Sequence, residues 1–150
     1  MDRRVSRLRG LTREQQRVVF ESILLLPGVQ LSLRLRGFMR TAAVLARHSQ
    51  RRAVPADPHD ARPLGDAVGL VAGRSVVGAP CLGRSLVLWF LLRRRGVDAE
   101  LVIGAEAPRG GELPAHAWVE VAGEPVNDAL DVRDRFGSFG LQLPRLTHDA

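Results

Sequence analysis

The sequence predicts an α+β fold in which helices come first and a small antiparallel sheet follows. Three observations support this prediction. Apolar residues recur at helical spacing between about residues 12 and 48. Residues 81–95 predict a further helix that is apolar on all sides, so other elements should surround it. Runs at 99–105 and 115–128 then predict a strand and a hairpin.

The length and composition indicate one soluble domain over residues 1–150, with a helical part (1–76) and a second part (77–150). The longest uncharged apolar stretch, residues 22–33, is interrupted by Pro-Gly and is shorter than the roughly 20 residues that span a bilayer. We therefore expect no membrane span, and the N-terminus lacks a signal-peptide pattern. A single cysteine excludes an internal disulfide and suits the reducing cytoplasm.

The net charge is +6, and all 22 basic residues are arginines. The densest basic cluster, residues 2–10, is interpreted as a solvated arm. Aromatic residues make up only 5% of the chain and are not interleaved with the arginines, so nucleic-acid binding is not expected. The four histidines are scattered and none has metal-ligand spacing. We therefore expect neither a metal site nor another cofactor.

Two helices are predicted in the first 48 residues. Thr12 and Gln15 form a capping-box pattern at the start of the first helix. Pro27 and Gly28 are expected to end it. The second helix covers about 29–48, and its expected buried face carries Leu31, Leu35, Phe38, Ala42 and Leu45.

A loop and a shorter helix are predicted next. Residues 52–63 contain three prolines, which favours a loop with His59 as a solvated turn residue. A helix should follow over about 64–76, although Gly69 and Gly73 lower its helical propensity.

Cys81 is a candidate nucleophile because it follows Pro80 at the predicted start of the apolar helix. A thiol at that position lies close to the positive end of the helix dipole and to free backbone N–H groups, which favour the thiolate and can stabilise an oxyanion. The alternative interpretation is an inert cysteine in the core. A nucleophilic cysteine also needs a base and a group that orients the base.

His116 and Asp128 are the candidates for these two roles, each with a simpler alternative. His116 lies in a predicted strand between two alanines, which leave room for another side chain. It could equally be a strand histidine without a catalytic role. Asp128 lies on the predicted return strand of the hairpin, and an aspartate after an asparagine is often a turn or cap residue.

The hairpin register decides in this interpretation whether the acid and the base meet. His116, Trp118 and Glu120 share one face of the strand. An even-numbered turn places Asp128 on the opposite face, whereas an odd-numbered turn or a bulge places it diagonal to His116. We therefore expect an odd turn or a bulge, with Asp131 as the substitute acid if the register is even.

The stretches "CLGRSLVLWFLLRRRGVDAELVIGA" and "AHAWVEVAGEPVND" resemble the transglutaminase-like cysteine proteases that remove leader peptides in lasso peptide biosynthesis. The resemblance covers about residues 77–140 and implies a transglutaminase-like or papain-like core, with a buried catalytic helix packed on a small antiparallel sheet. It implies that Cys81 attacks the peptide bond after the leader, that His116 shuttles the proton and that Asp128 holds the imidazole. Arg84 and Ser85 also match the pattern, either as supports of the site or as packing residues.

The resemblance further implies a precursor peptide as substrate. The helical first 75 residues lack the strand-rich pattern of a leader-binding domain, so the chain is similar to the split form of the family. Its expected partners are a separate leader-recognition protein and an ATP-dependent cyclase. Three alternatives stay open: acyl transfer to an amine or to water by another transglutaminase-like enzyme, a non-catalytic peptide-binding homologue, and a nucleic-acid binder supported by charge alone.

Overall fold

The computed structural model describes residues 10–49, 54–73, 80–105 and 115–138. Over these ranges the predicted order of helices followed by an antiparallel sheet is confirmed. The basic cluster before Gly10 and the predicted loop at 107–114 lie outside the described residues. The elements are α1 (Arg13–His48), α2 (Pro58–Ala72), α3 (Cys81–Arg94), β1 (Ala99–Ala105), β2 (Ala115–Val121), β3 (Glu124–Pro125), α4 (Val132–Arg135) and β4 (Gly137–Ser138).

Helix α1 begins at the predicted capping box but does not end where expected. The Thr12 hydroxyl accepts the Gln15 N–H at 3.2 Å, and the Gln15 side chain accepts the Thr12 N–H at 2.8 Å. The prediction that Pro27 and Gly28 end the helix is wrong, because α1 continues through both. Proline removes one bond to the carbonyl of Ile23. Ile23 and Pro27 are both exposed, so water can donate a hydrogen bond to the Ile23 carbonyl.

The interruption of α1 lies instead at Gly37, which has φ 76° and ψ 176°. Glycine adopts a positive φ without steric cost. The Thr41 hydroxyl donates to the Gly37 carbonyl at 2.8 Å and is hydrogen-bonded to Ser32 at 2.9 Å, so side chains bridge the kink.

The kink also explains why the predicted apolar face of residues 29–48 is only partly right. Ala42 and Leu45 are buried as expected, whereas Leu31 and Leu35 are exposed. The prediction assumed one straight helix, but Gly37 changes the phase between residues before it and after it. These two groups therefore do not share a face.

Helix α2 begins six residues before its predicted start, at Pro58. Asp57 is its N-cap, and the Asp57 side chain accepts the His59 N–H at 2.8 Å. The prediction of a loop over 52–63 is therefore wrong from Pro58 onward, and His59 lies exposed in the first helical turn. A proline at the first helical position is favourable, which is why Pro58 starts the helix.

Helix α3 is the centre of the molecule and confirms the prediction of a buried apolar helix. All residues from Leu86 to Leu92 are buried. The helix contacts α1 and α2 on one side and β1 and β2 on the other. The indole N–H of Trp89 donates to the Ala99 carbonyl at 3.0 Å, which ties the helix to the first strand. Gly96, with φ 81°, follows the end of the helix.

The sheet has the strand order β3-β2-β1-β4, and every neighbouring pair is antiparallel. In the β1–β2 register, His116 lies opposite Gly104. The turn between β2 and β3 contains two residues, Ala122 (φ 50°) and Gly123 (φ 82°), as in the hairpin turns that match strand twist. This register places β2 between β1 and β3, with α3 against it.

Within the described ranges, α1 is long and apolar enough to cross a membrane by length and composition. Core helices of soluble proteins pass the same criterion. Here Val18, Leu26 and Val29 of α1 belong to the hydrophobic core that α3 shares.

Candidate active site

Cys81 is the first residue of α3 and has a free, partly buried thiol. Pro80 precedes it as the N-cap, and the Pro80 carbonyl accepts the Arg84 N–H at 3.3 Å. The N–H groups of the first turn have no carbonyl within the helix to bind. The thiol therefore lies at the positive end of a 14-residue helix, as the sequence predicts.

His116 of β2 is held by one side-chain hydrogen bond and by two neighbouring aromatic rings. Its Nε2 atom is 2.5 Å from Oδ2 of Asp128. The rings of Trp118 and Phe136 lie 6.0 Å and 4.9 Å from the imidazole, centroid to centroid. Gly104 opposite makes this packing possible, because an added Cβ would be 2.9–3.0 Å from atoms of both aromatic side chains. A carboxylate only accepts hydrogen bonds, so the ring nitrogen that faces Asp128, Nε2, carries a proton.

Asp128 is bound through both carboxylate oxygens. Its Oδ1 atom accepts the Ala129 N–H at 2.8 Å and lies 3.3 Å from the Arg135 guanidinium. Burial is the largest influence and raises the pKa of Asp128. The hydrogen bonds from His116 and Ala129, together with electrostatic attraction by His116 and Arg135, outweigh burial and hold the pKa of Asp128 below its ordinary value. The acid is therefore ionised and oriented.

The prediction that Asp128 reaches His116 only through an odd-numbered turn or a bulge is wrong. The turn is even, with Glu120 opposite Pro125, and yet Asp128 reaches His116. The prediction assumed that the return strand continues to residue 128, whereas β3 ends at Pro125. Asp131 is not the substitute acid, because it is exposed and its carboxylate lies 3.6 Å from Arg135.

Asn127 explains why the return strand ends early. The Val126 N–H donates to the Val119 carbonyl at 2.9 Å, as in a regular ladder. The Val119 N–H, however, donates to the side-chain oxygen of Asn127 at 2.8 Å. The Val126 carbonyl lies instead against Gly65 of α2, where an added Cβ would overlap it. Once the Asn127 side chain has replaced a backbone acceptor, the chain leaves the sheet and Asp128 turns toward His116.

Ser85 connects the cysteine helix to the histidine strand. Its hydroxyl donates to the Ala117 carbonyl at 2.8 Å and accepts from the Asn127 amide at 2.9 Å. Cys81 lies four residues earlier on the same helical face, and Ala117 is the neighbour of His116. These bonds therefore bring the start of α3 to the His116 end of β2. Of the two interpretations of Ser85, its contacts favour a support of the site.

An ion pair between the buried carboxylate of Glu120 and the half-exposed guanidinium of Arg133 lies next to the aromatic residues that contact His116. Glu120 is 1% exposed and accepts the Trp118 indole N–H at 2.7 Å. Arg133 binds both of its carboxylate oxygens, and the hydrogen bond and charge of Glu120 raise the pKa of Arg133. The predicted common face of His116, Trp118 and Glu120 is confirmed by these contacts, so Glu120 fixes the indole that packs on the histidine.

Sequence reasoning missed the roles of Asn127, Arg133 and Phe136. Arg62 was missed as well, and its guanidinium donates to the Pro125 carbonyl at 2.6 Å and the Asp128 carbonyl at 3.4 Å. One signal was present: a buried strand glutamate needs a cationic partner. In the described ranges, no group of three or more histidines, cysteines or acids could hold a metal ion.

Comparisons with known proteins identify the family of this chain. The family model of the transglutaminase-like superfamily matches residues 23–139. The chain is also 39% identical over 61 residues to the microcin J25-processing protein McjB of Escherichia coli. That match covers 41% of this chain and 28% of the relative. No solved structure gives a significant match. Because the family match spans most of the sequence and agrees with the α+β fold, this chain belongs to the transglutaminase-like superfamily.

Proposed function

We propose that this protein is a cysteine peptidase that removes the leader from a lasso peptide precursor. The observation that carries the proposal is the 2.5 Å contact between His116 and Asp128, next to a helix that begins with Cys81. A thiol at a helix N-terminus and an imidazole oriented by a carboxylate are the groups that covalent acyl transfer requires. Membership of the transglutaminase-like superfamily and the likeness to a microcin-processing protein support the choice of a peptide substrate.

The proposed reaction begins when Nδ1 of His116 takes the proton of the Cys81 thiol. The thiolate attacks the carbonyl carbon of the bond after the leader, and first-turn N–H groups of α3 stabilise the oxyanion. His116 then gives its proton to the amine of the leaving core peptide, and the leader remains on Cys81 as a thioester. Water, deprotonated by His116, releases the leader acid and restores the thiol. Throughout, Asp128 stabilises the imidazolium through Nε2.

The proposed partners follow the same interpretation. The precursor peptide is the substrate, a separate leader-recognition protein presents it, and an ATP-dependent cyclase uses the released core. The described residues before Cys81 form helices and one isolated bridge at Val54, so no strand-rich unit lies among them. We propose that these steps take place in the cytoplasm.

The test is a cleavage assay on a candidate precursor, with and without a leader-recognition protein, read by mass spectrometry. Cleavage at the leader–core junction should give two products whose masses sum to the precursor plus one water. Cys81→Ala and His116→Ala should each lower the rate by about 10³-fold or more. His59→Ala is the matched control, since His59 is exposed in the first turn of α2.

Two results would contradict the proposal. Full cleavage by Cys81→Ala would exclude the thiol mechanism. Cross-linked products that have lost ammonia, without cleavage, would assign the protein to amine transfer.

A further inference from the structure

A cleft of about 430 Å³ lies between α2 and α3, beside the candidate triad. Its described lining residues are Gly65, Asp66, Gly69 and Leu70 of α2, Arg84 of α3, and Asn127. Neither Cys81 nor His116 lines it, so the cleft is distinct from the place where the chemistry is proposed.

The cleft nevertheless adjoins the triad at two points. Arg84 is three residues after Cys81, which puts it about one helical turn from the thiol. Asn127 is directly before Asp128 and binds Ser85 of the cysteine helix. A molecule in this cleft therefore lies against both the nucleophile helix and the segment that carries the acid.

Arg84 gives the cleft a donor that needs an acceptor. Its Nε atom is buried and has no hydrogen-bond partner in the part of the chain that the structure describes. Arg84 lines the cleft and is only partly buried as a residue, so its guanidinium offers further N–H groups to an acceptor there. Asp66 on the other wall is exposed and can only accept. Together Arg84 and Asp66 offer one donor and one acceptor, which are the groups that a peptide main chain pairs with.

Gly69 leaves the space that an occupant needs. A Cβ added to Gly69 would meet no atom within 4 Å, whereas one added to Gly65 would overlap the Val126 carbonyl. Gly65 is therefore explained by packing, but Gly69 is not. Glycine lowers helix stability by about 0.5–1 kcal/mol relative to alanine, so its presence on this wall has a cost that open space over α2 would account for.

We propose that this cleft binds the main chain of the substrate peptide next to the scissile bond, with Arg84 donating to a peptide carbonyl and the peptide passing over Gly69. This rests on the proposed function, since it supplies the binding site that a peptidase of this kind requires. Arg84 is a substrate-binding residue in this scheme and takes no part in proton transfer.

Gly69→Leu tests the cleft, with Gly28→Leu as its matched control. Gly28 of α1 is also a helical glycine whose added Cβ would meet nothing within 4 Å, but it does not line the cleft. Both changes favour the helix, so both variants should fold. For a candidate precursor peptide, Gly69→Leu should raise KM about tenfold and change kcat less than about threefold. Gly28→Leu should change neither.

Two further readouts separate the cleft from the chemistry. The rate at which iodoacetamide alkylates Cys81 should be the same in Gly69→Leu and wild type, because the small reagent does not occupy the cleft. Arg84→Met, which keeps an unbranched stem without the guanidinium, should raise KM as Gly69→Leu does. An equal KM for Gly69→Leu, Gly28→Leu and wild type would contradict substrate binding in the cleft. It would not contradict the proposed peptidase activity.

Binding without turnover distinguishes the two proposals. Fluorescence anisotropy of a labelled precursor is measured on Cys81→Ala, alone and combined with Gly69→Leu. Weaker binding in the double variant by about tenfold supports the cleft, even if the wild type cuts no peptide. That combination of results would contradict the peptidase proposal and support peptide binding in the cleft. If Cys81→Ala binds no precursor at all, the cleft is overturned.

Discussion

Helices α1 and α3 are both rich in apolar residues, but they use them in opposite ways. In α3 every residue from Leu86 to Leu92 is buried. In α1 a series of large apolar side chains is exposed: Phe20, Ile23, Leu24, Leu31, Leu35, Met39 and Val44. The difference comes from position, because α3 has elements on both sides whereas α1 covers it from one side only. Apolar composition alone therefore does not reveal how much of a helix is buried.

For the candidate site, the consequence is that the helix that carries it, α3, is more tightly packed than the outer face of α1. Cys81, Arg84 and Ser85 stand on α3, and the buried segment Leu86–Leu92 of that helix anchors them. The outer face of α1 carries no residue of the candidate triad or the cleft. Substitutions in α3 should therefore affect folding and the site together, and those on the outer face of α1 neither.

The largest expected difference in unfolding free energy is between alanine substitutions of Leu88 in α3 and of Leu31 in α1. Leu88 is 0% exposed and Leu31 is 57% exposed. Leu88→Ala should lower the free energy of unfolding by about 2–5 kcal/mol, through lost burial and a cavity. Leu31→Ala should change it by less than about 0.5 kcal/mol. Urea unfolding measures both. Equal losses would show that the α1 face is covered in solution and would break the comparison.

Asp128 of the candidate site should contribute more to the free energy of unfolding than Glu14 of α1 does. Asp128→Asn should cost about 1.5–3 kcal/mol at pH 7, because a hydrogen bond to a charged group is lost. The folded pKa of Asp128 lies below its ordinary value of 3.8. Its stabilisation is therefore present above pH 3.8 and is lost as the pH falls through the folded pKa.

The measurement is the difference in unfolding free energy between wild type and Asp128→Asn from pH 7 to pH 2. That difference should shrink below pH 3.8. Glu14→Gln is the control, since Glu14 of α1 is exposed and lies 3.6 Å from Arg95. Its effect should stay below about 1 kcal/mol. A pH-independent difference for Asp128→Asn would contradict the ionised pair.

Glycines of α2 and α1 should respond with opposite signs. Gly65→Ala places a Cβ on the Val126 carbonyl and should cost about 1–3 kcal/mol. Gly28→Ala meets open space and should stabilise the protein by roughly 0.5–1 kcal/mol. Thermal unfolding checks both. A Gly65→Ala variant as stable as Gly28→Ala would refute the close approach of α2 to the segment before Asp128.

The smallest expected effect is at Leu35, which is among the exposed apolar residues of α1. Leu35→Gln should change the free energy of unfolding by no more than about 0.5 kcal/mol. It should also leave the precursor cleavage rate unchanged when no partner protein is present. A loss of more than about 1 kcal/mol would show that Leu35 contributes to the core.

The parts of the molecule that could be predicted from sequence are those fixed by local pattern. Helix α3 was predicted because it is apolar on all sides and is bounded by Pro80 and Gly96. The start of α1 was predicted because Thr12 and Gln15 form a capping box. The common face of His116 and Glu120 follows from strand alternation.

The remaining features depend on contacts between distant segments. No local rule shows that α1 passes through Pro27, since this depends on the exposure of the turn before it. The path to Asp128 depends on the Val126 carbonyl turning toward Gly65, sixty-one positions earlier in the chain. The members of the candidate triad could be named from residue types and family resemblance, but the way in which Asp128 meets His116 could not.

The side-chain bond between Asn127 and Val119 has a consequence for how such a site can change over evolution. Asp128 is positioned by anchorage of its neighbour to Ser85 and Val119, not by counting residues from the hairpin tip. Both tip residues, Ala122 and Gly123, are exposed, so an extra residue there can be extruded into solvent. Insertions at the tip should therefore be tolerated. A graft of this acid–base pair onto another hairpin must transfer the asparagine and the serine.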